Sequence, residues 1–125
     1  TVKKCIEVFI PMISTMTALK DNMYAAAKRG FINATDLADY LTKRGMPFRS
    51  AYKIVGQIVA ECIEKKTVLD KLPLEAYKQH SDMFEADLYS EISLKACVEK
   101  RISEGGTSVA SVEKQLVLVR KELEK

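Results

Sequence analysis

Glycine and proline are scarce, five and three in 125 residues. Apart from Pro11 and Gly56, they stand between periodic segments rather than inside them. No low-complexity tract, internal repeat or alternating strand pattern is present, which excludes linkers, solenoids and half-buried sheets. Cysteine is also rare. Cys5, Cys62 and Cys97 are odd in number, far apart and set on apolar helical faces. A disulfide framework or a zinc site needs pairs at short spacing, so the three read as buried thiols in a reducing compartment. No apolar run approaches the roughly 20 residues that span a bilayer, and no charged n-region precedes a cleavage site. The expected compartment is the cytoplasm, with no membrane partner. An excess of one charge is missing too. The net charge is +3 from 20 basic and 17 acidic residues. The signs alternate, as in Glu61, Glu64, Lys65 and Lys66, so no basic stripe forms and no nucleic-acid partner is expected.

What is present is a balanced globular composition, 47% hydrophobic and 30% charged, of a length that suits one modest core. The chain is organised around residues 30–63. Gly30 ends what precedes it. Asn33 is placed to cap a helix, with Asp36 three residues on as a capping-box partner. Leu37, Ala38 and Leu41 share a face, and Gly45 stops the helix at about residue 44. Pro47 starts the next helix with its φ already set. That helix runs from 48 to 65 with Phe48, Ala51, Tyr52, Val55, Val59, Cys62 and Ile63 on one face. Ile54 and Ile58 lie off that face, which predicts a central helix covered on two sides.

Residues 2–29 read as one long helix. Val2, Ile6, Phe9, Ile13, Met16, Met23 and Ala27 form a four-three seam with Lys20 in its one polar slot. Its length is roughly 40 Å at about 1.5 Å per residue, and Pro11 is expected to kink or split it. The start at Thr1, without an initiator Met or evident cap, reads as a cut inside a larger protein. After a connector over 67–73, a short helix is predicted from Leu74 to Gln79, irregular chain around 80–82, and helical chain from Phe84 to about Ser90. Ser93 is placed to cap a helix carrying Leu94, Cys97, Val98 and Ile102, ended by Gly105 and Gly106. Thr107 or Ser108 caps the last helix, with Val109, Val112, Leu116, Val119 and Leu123 as a second heptad seam. The flanking Glu, Lys, Gln and Arg favour helix over strand there.

Few residues suggest chemistry. His80, the one histidine, stands beside Ser81 and Asp82 in an expected loop. As a general base it would need a partner that the sequence does not place, so it reads as a solvated loop residue. Asp36 and Asp39 share a helix face, but a metal would need further ligands; first-turn capping explains them better. The turn Gly105-Gly106-Thr107-Ser108 opens a helix and could hold an anion. Lacking the Lys of a P-loop, it reads as a C-cap followed by an N-cap. Arg49 opposes the dipole of its helix, so a structural ion pair is expected. Met12, Met16, Met23, Met46 and Met83 read as core fillers.

The stretch NATDLADYLTKRGMPFRSAYKIVG resembles the C-terminal region of the argininosuccinate lyase family. There an Ala-Thr-Asp-Leu-Ala-Asp-Tyr-Leu segment precedes Gly-x-Pro-Phe-Arg. The Gly105-Gly106-Thr107 turn before a final amphipathic helix is similar to the same family, and the resemblance runs from Thr1 to about Glu122. Tyr52 departs from it, where many relatives carry His. So does Ser108-Val109-Ala110, where a Pro often follows the turn.

The resemblance implies an all-α fold: residues 1–30 as the end of a long bundle helix, and 31–125 as a small helical C-terminal domain. It implies a parent enzyme that splits argininosuccinate into arginine and fumarate by base-assisted elimination, without a cofactor, as a homotetramer. The family's catalytic loop, Gly-Ser-Ser-x-Met-Pro-x-Lys-x-Asn-Pro, has no counterpart here. Its Thr-His acid segment and substrate contacts lie upstream of the region this chain resembles. No catalytic, cofactor-binding or metal-binding residue is therefore assigned. The small-molecule substrate belongs to the full enzyme only, and self-association through 2–29 is the expected partnership. The alternative is a free-standing helical interaction module whose seams dock a partner helix.

Overall fold

The computed structural model describes residues 1–124. The architecture is all-α, with eight α-helices, one 3-10 turn and no strand among the described residues. In order the α-helices are α1 (Val2–Ser14), α2 (Lys20–Lys28), α3 (Ala34–Lys43), α4 (Phe48–Glu64), α5 (Leu74–His80), α6 (Leu88–Glu91), α7 (Leu94–Glu99) and α8 (Val109–Leu123). The 3-10 turn spans Leu69–Lys71, between α4 and α5.

The core is built by α3 and α4, with the 3-10 turn, α5 and α6 closing over them. Leu37, Ala38, Tyr40 and Leu41 of α3 meet Ala51, Val55, Ile58 and Cys62 of α4, and all are buried. Leu69, Leu72, Tyr77, Phe84, Leu88 and Ile92 complete the cluster. The corner between α3 and α4 is a Schellman motif. Met46 N–H donates to Leu41 O (3.2 Å) and Gly45 N–H to Thr42 O (3.0 Å), with Gly45 at φ +99°. That left-handed conformation is why glycine serves here.

The end of α4 repeats the motif with a residue less suited to it. Thr67 N–H donates to Cys62 O and Lys66 N–H to Ile63 O, and Lys66 adopts φ +51°. A β-carbon in the left-handed region is strained. Lys66→Gly is therefore expected to stabilise the chain by about 0.5–1 kcal/mol, after the extra freedom glycine brings to the unfolded state. Urea titration checks this. An unchanged or lower midpoint would mean that Lys66 sits there without strain.

Several local expectations are corrected. The segment 2–29 is two helices, and the break falls at residues 15–19, not at Pro11, which lies inside α1. In a helix without a buried residue, the carbonyl deprived of its donor by Pro11 faces solvent and costs little. The hydroxyls end α1 instead. Ser14 Oγ and Thr15 Oγ1 both donate to Pro11 O, at 3.0 and 2.7 Å, and side-chain bonds of this kind compete with the helix. The left-handed residue after α2 is Phe31 (φ +49°), not Gly30. The capping box does not form. Asn33 accepts no cap bond, and its amide is turned inward.

The buried face of α4 is Ala51, Val55, Ile58 and Cys62, rotated from the expected one. Phe48, Tyr52 and Ile63 are exposed, so α4 is covered on one side and not two. Helical chain near 84–90 is limited to the single turn of α6. The helix capped by Ser93 ends at Glu99, leaving Ile102 outside it and exposed. Both Ser93 and Ser108 cap as predicted, accepting from the N–H groups of Ala96 and Ser111. Cys62 is buried and Cys97 half-buried, but Cys5 is exposed. Of the methionines only Met46 packs against the core; Met12, Met16, Met23 and Met83 are exposed.

Candidate functional site

Four polar clusters join elements distant in sequence. The first is centred on Asp87. Tyr40 OH donates to Asp87 Oδ1 (2.6 Å), and Arg44 Nη2 donates to Asp87 Oδ2 (2.7 Å). Glu85 N–H donates to the Tyr40 oxygen (3.2 Å), and the Arg44 guanidinium lies over the Tyr40 ring at 3.8 Å. The Tyr40 and Arg44 bonds hold the Asp87 carboxyl below its ordinary range. Burial, with the Asp87 bond second, pushes Tyr40 up from 10.0 to about 12. A carboxylate with both oxygens engaged and a phenol held protonated make a brace, not a base.

The second cluster joins α4 to α5. His80 Nε2 lies 2.8 Å from Glu61 Oε2, and Lys65 bonds the other carboxylate oxygen. The bonds from His80 and then Lys65 hold Glu61 below its ordinary range. His80 thus closes α5 and is not a loop residue. Its Nε2 is taken by the partner that the sequence did not reveal. The third cluster joins α3 to the chain beyond α7. Asp36 is buried and accepts from Arg101 Nη2 (3.0 Å). Asp39 does not join it, so the two aspartates make no shared site. Burial, and then the Asp36 bond, pushes the neighbouring Cys97 thiol up to about 12. Burial also raises Cys62, and neither thiol has the depressed pKa of a nucleophile. The fourth is Asn33, whose Nδ2 donates to Asp70 Oδ1 and Ile92 O, both at 3.0 Å.

Two donors of the Gly105-Gly106-Thr107-Ser108 turn are engaged within the chain. Gly106 N–H donates to Ser103 O, and Ser108 N–H to Arg101 O. A β-carbon on Gly106 would stand 2.1 Å from Arg101 O, so glycine is required by the close approach of two backbones. The ion pair expected for Arg49 is absent among the described residues. So is any group of three His, Cys, Asp or Glu able to hold a metal. No helix among the described residues is long and apolar enough to cross a membrane.

The Asp87 brace makes stability depend on alkaline pH. A phenol raised on folding contributes stability that is full below its unfolded pKa and lost as pH rises through its folded one. For Tyr40 that window runs from 10.0 to about 12. Unfolding free energies at about pH 8 and about pH 11 are expected to differ less in Tyr40→Phe than in the parent. Burial raises Tyr77 and Tyr89 as well, so the substitution lessens the alkaline loss without abolishing it. An identical difference in both proteins would remove Tyr40 from the linkage.

What remains open is apolar surface. Neither α1 nor α2 has a buried residue, and α8 has only Ser111. Val2, Ile6, Phe9 and Ile13 of α1, and Leu116, Val119 and Leu123 of α8, are 49–81% exposed. An open groove of about 420 Å³ lies between α2, α3 and α7. Tyr24, Ile32, Leu94 and Val98 line it, with Asp36 and Arg101 at its polar end. The candidate functional site is therefore a set of helical faces.

The family description "Argininosuccinate lyase C-terminal" matches residues 31–99. The chain is 48% identical over 116 residues to the argininosuccinate lyase of Ruminiclostridium cellulolyticum, covering 93% of the chain and 25% of that enzyme. It is 44% identical over 123 residues to the enzyme of Desulforamulus reducens, 98% of the chain and 27% of the relative. It is 48% identical over 124 residues to that of Lachnospira eligens, 99% and 27%. The chain thus spans about a quarter of the length of the curated relatives it matches.

Proposed function

The chain belongs to the argininosuccinate lyase family, through that family's C-terminal region, and from this premise we propose that its work is architectural. In a full-length lyase it supplies helices to a shared bundle, through α1 and α2, and a compact helical unit after them. The enzyme as a whole splits argininosuccinate into arginine and fumarate by base-assisted elimination, and takes its catalytic groups from elsewhere in the polypeptide. The observation that carries this reading is the contrast between engaged polar groups and uncovered apolar ones. The carboxylates of Asp36, Glu61 and Asp87 and the ring of His80 are spent on joining elements, while α1 has no buried residue. A helix that is apolar on most sides is a core element waiting for neighbours. The unpaired thiols support a reducing compartment, the cytoplasm.

The reading as a free-standing interaction module shares these apolar faces but leaves the family match without a role. On the architectural reading, the isolated chain releases no fumarate from argininosuccinate. The assay is fumarate production by the pure chain at high protein concentration. Turnover that persists through repeated purification, in proportion to chain concentration, would sink the reading.

A further inference from the structure

Helix α4 carries an apolar strip that the fold leaves open. Phe48, Tyr52, Val59 and Ile63 fall within about 60° of one another around the helix axis, at 100° per residue. Phe48, Tyr52 and Ile63 are 49%, 65% and 62% exposed, and Val59 is half-buried. The rings of Phe48 and Tyr52 lie against each other with centroids 6.1 Å apart. Midway along the strip, and between it and the next flank of the helix, is Gly56, exposed and inside the helix. Its φ is not positive, and a β-carbon there would meet nothing within 4 Å. Neither backbone conformation nor packing within this chain calls for glycine, which weakens a helix interior. What it provides is a low point at which a second helix axis comes close.

The charges beside the strip say which helix. Arg49, Lys53 and Glu64 lie along one flank, with Ala60 between them, and none of the three is in an ion pair among the described residues. Arg49 stands in the first turn of α4 and Glu64 at its last residue; the first turn holds no acid and the last no base. Both charges therefore oppose the helix dipole. An arrangement unfavourable within one helix becomes favourable when two copies run antiparallel. A two-fold axis through Gly56 places residue n opposite residue 112 − n or 113 − n, and brings each flank against the same flank of the second copy. Arg49 then meets Glu64 of the second copy, twice by symmetry. Phe48 and Tyr52 cross toward its Ile63 and Val59, and the two glycines face each other. A parallel two-fold pairing would set the charged flank against the apolar strip of the second copy, leaving Arg49 and Lys53 without a carboxylate.

We propose that α4 forms an antiparallel two-fold contact with a second copy of this chain, centred on Gly56 and registered by Arg49 against Glu64. The contact is separate from the bundle surface of α1 and does not depend on it. One helix per copy buries little area, so the association is weak.

The test is sedimentation equilibrium up to about 1 mM chain, in an Ile13→Asp background that removes the α1 contact. Ile13 lies outside the core, so this background keeps the fold. The expected result is a reversible monomer–dimer equilibrium. Arg49→Glu and Glu64→Lys should each weaken it at least about tenfold, and the double reversal should restore it to within about threefold. Each reversal also suits the helix dipole, so lost association is not lost folding. Gly56→Leu should abolish the dimer while raising the melting temperature. A background protein that stays monomeric throughout overturns the proposal, as it would if another part of a full-length lyase covers the strip. Single reversals without effect, or a double reversal that fails to restore the dimer, overturn it as well.

Discussion

Replacing Phe84 by alanine is expected to bring the chain close to unfolding, at a cost of about 3–5 kcal/mol. Phe84 is fully buried. Its ring stacks on Tyr40 (centroids 6.0 Å, interplanar 6°) and tilts against Tyr77 (5.1 Å, 56°). It is thus the wedge between α3 and α5, held in chain with no regular structure of its own. Removing it takes away the burial of a large apolar side chain, leaves a cavity, and unseats two aromatic contacts worth about 0.5–1.5 kcal/mol each. The loss spreads to polar bonds. Tyr40 donates to Asp87 and Tyr77 OH donates to Leu69 O (2.8 Å), and both rings lose the neighbour that fixes them. Natural domains hold roughly 5–15 kcal/mol in all, so this one side chain is a large share. Phe48→Ala, on the open side of α4, is the control and should shift stability by no more than about 0.5 kcal/mol at low protein concentration. Equal urea midpoints for the two variants would show that the aromatic cluster is not where the fold is held.

The sequence disclosed what period and local chemistry control. The helix of Leu37, Ala38 and Leu41, the stop at Gly45 and the caps at Ser93 and Ser108 all rest on bonds within six residues. Such bonds are readable from spacing alone. The all-α class is what the family resemblance implies, and the helical periodicities agree with it. What escaped depends on partners far along the chain. Asn33 is a good cap in isolation, yet its amide reaches Asp70 and Ile92, 37 and 59 residues away. Once that side chain is drawn inward, the capping box has no acceptor. Asp87 likewise takes its role from Tyr40 and Arg44, 47 and 43 residues away.

The rotated face of α4 has a related cause. Its apolar residues occupy about half of the helix circumference, from Ile54 around to Ile63, and a pattern that wide does not say which part faces inward. The packing of α3 decides for Ala51, Val55, Ile58 and Cys62. Calling every methionine a filler failed for the same reason. Apolar character marks a side chain for burial, but in α1, α2 and α8 the burying surface is not among the described residues.

That last point leads to the largest expected effect on assembly. Wild-type chain is expected to self-associate through α1, and Ile13→Asp to abolish that association. Phe9 and Ile13 are 58% and 60% exposed on α1, and Met16 beyond its end is 70% exposed. Leaving large apolar side chains in water forgoes about 1.5–3 kcal/mol each. One way to cover them within a single chain would be for the first ten residues to fold back at Pro11. The helix runs through Pro11 without doing so, and cover must then come from outside. Val8, Ile10 and Met12 are exposed as well, at 58%, 64% and 57%, so apolar surface extends beyond the two-stranded seam. A second copy is the simplest cover in solution, with Phe9, Ile13 and Met16 in the contact. An aspartate at position 13 would have to be buried unpaired there, which costs more than the contact returns. Light scattering reads the outcome directly: mass above the monomer for wild type, and monomer mass with unchanged helical circular dichroism for Ile13→Asp. A wild type that remains monomeric at high concentration would refute α1 as an association surface.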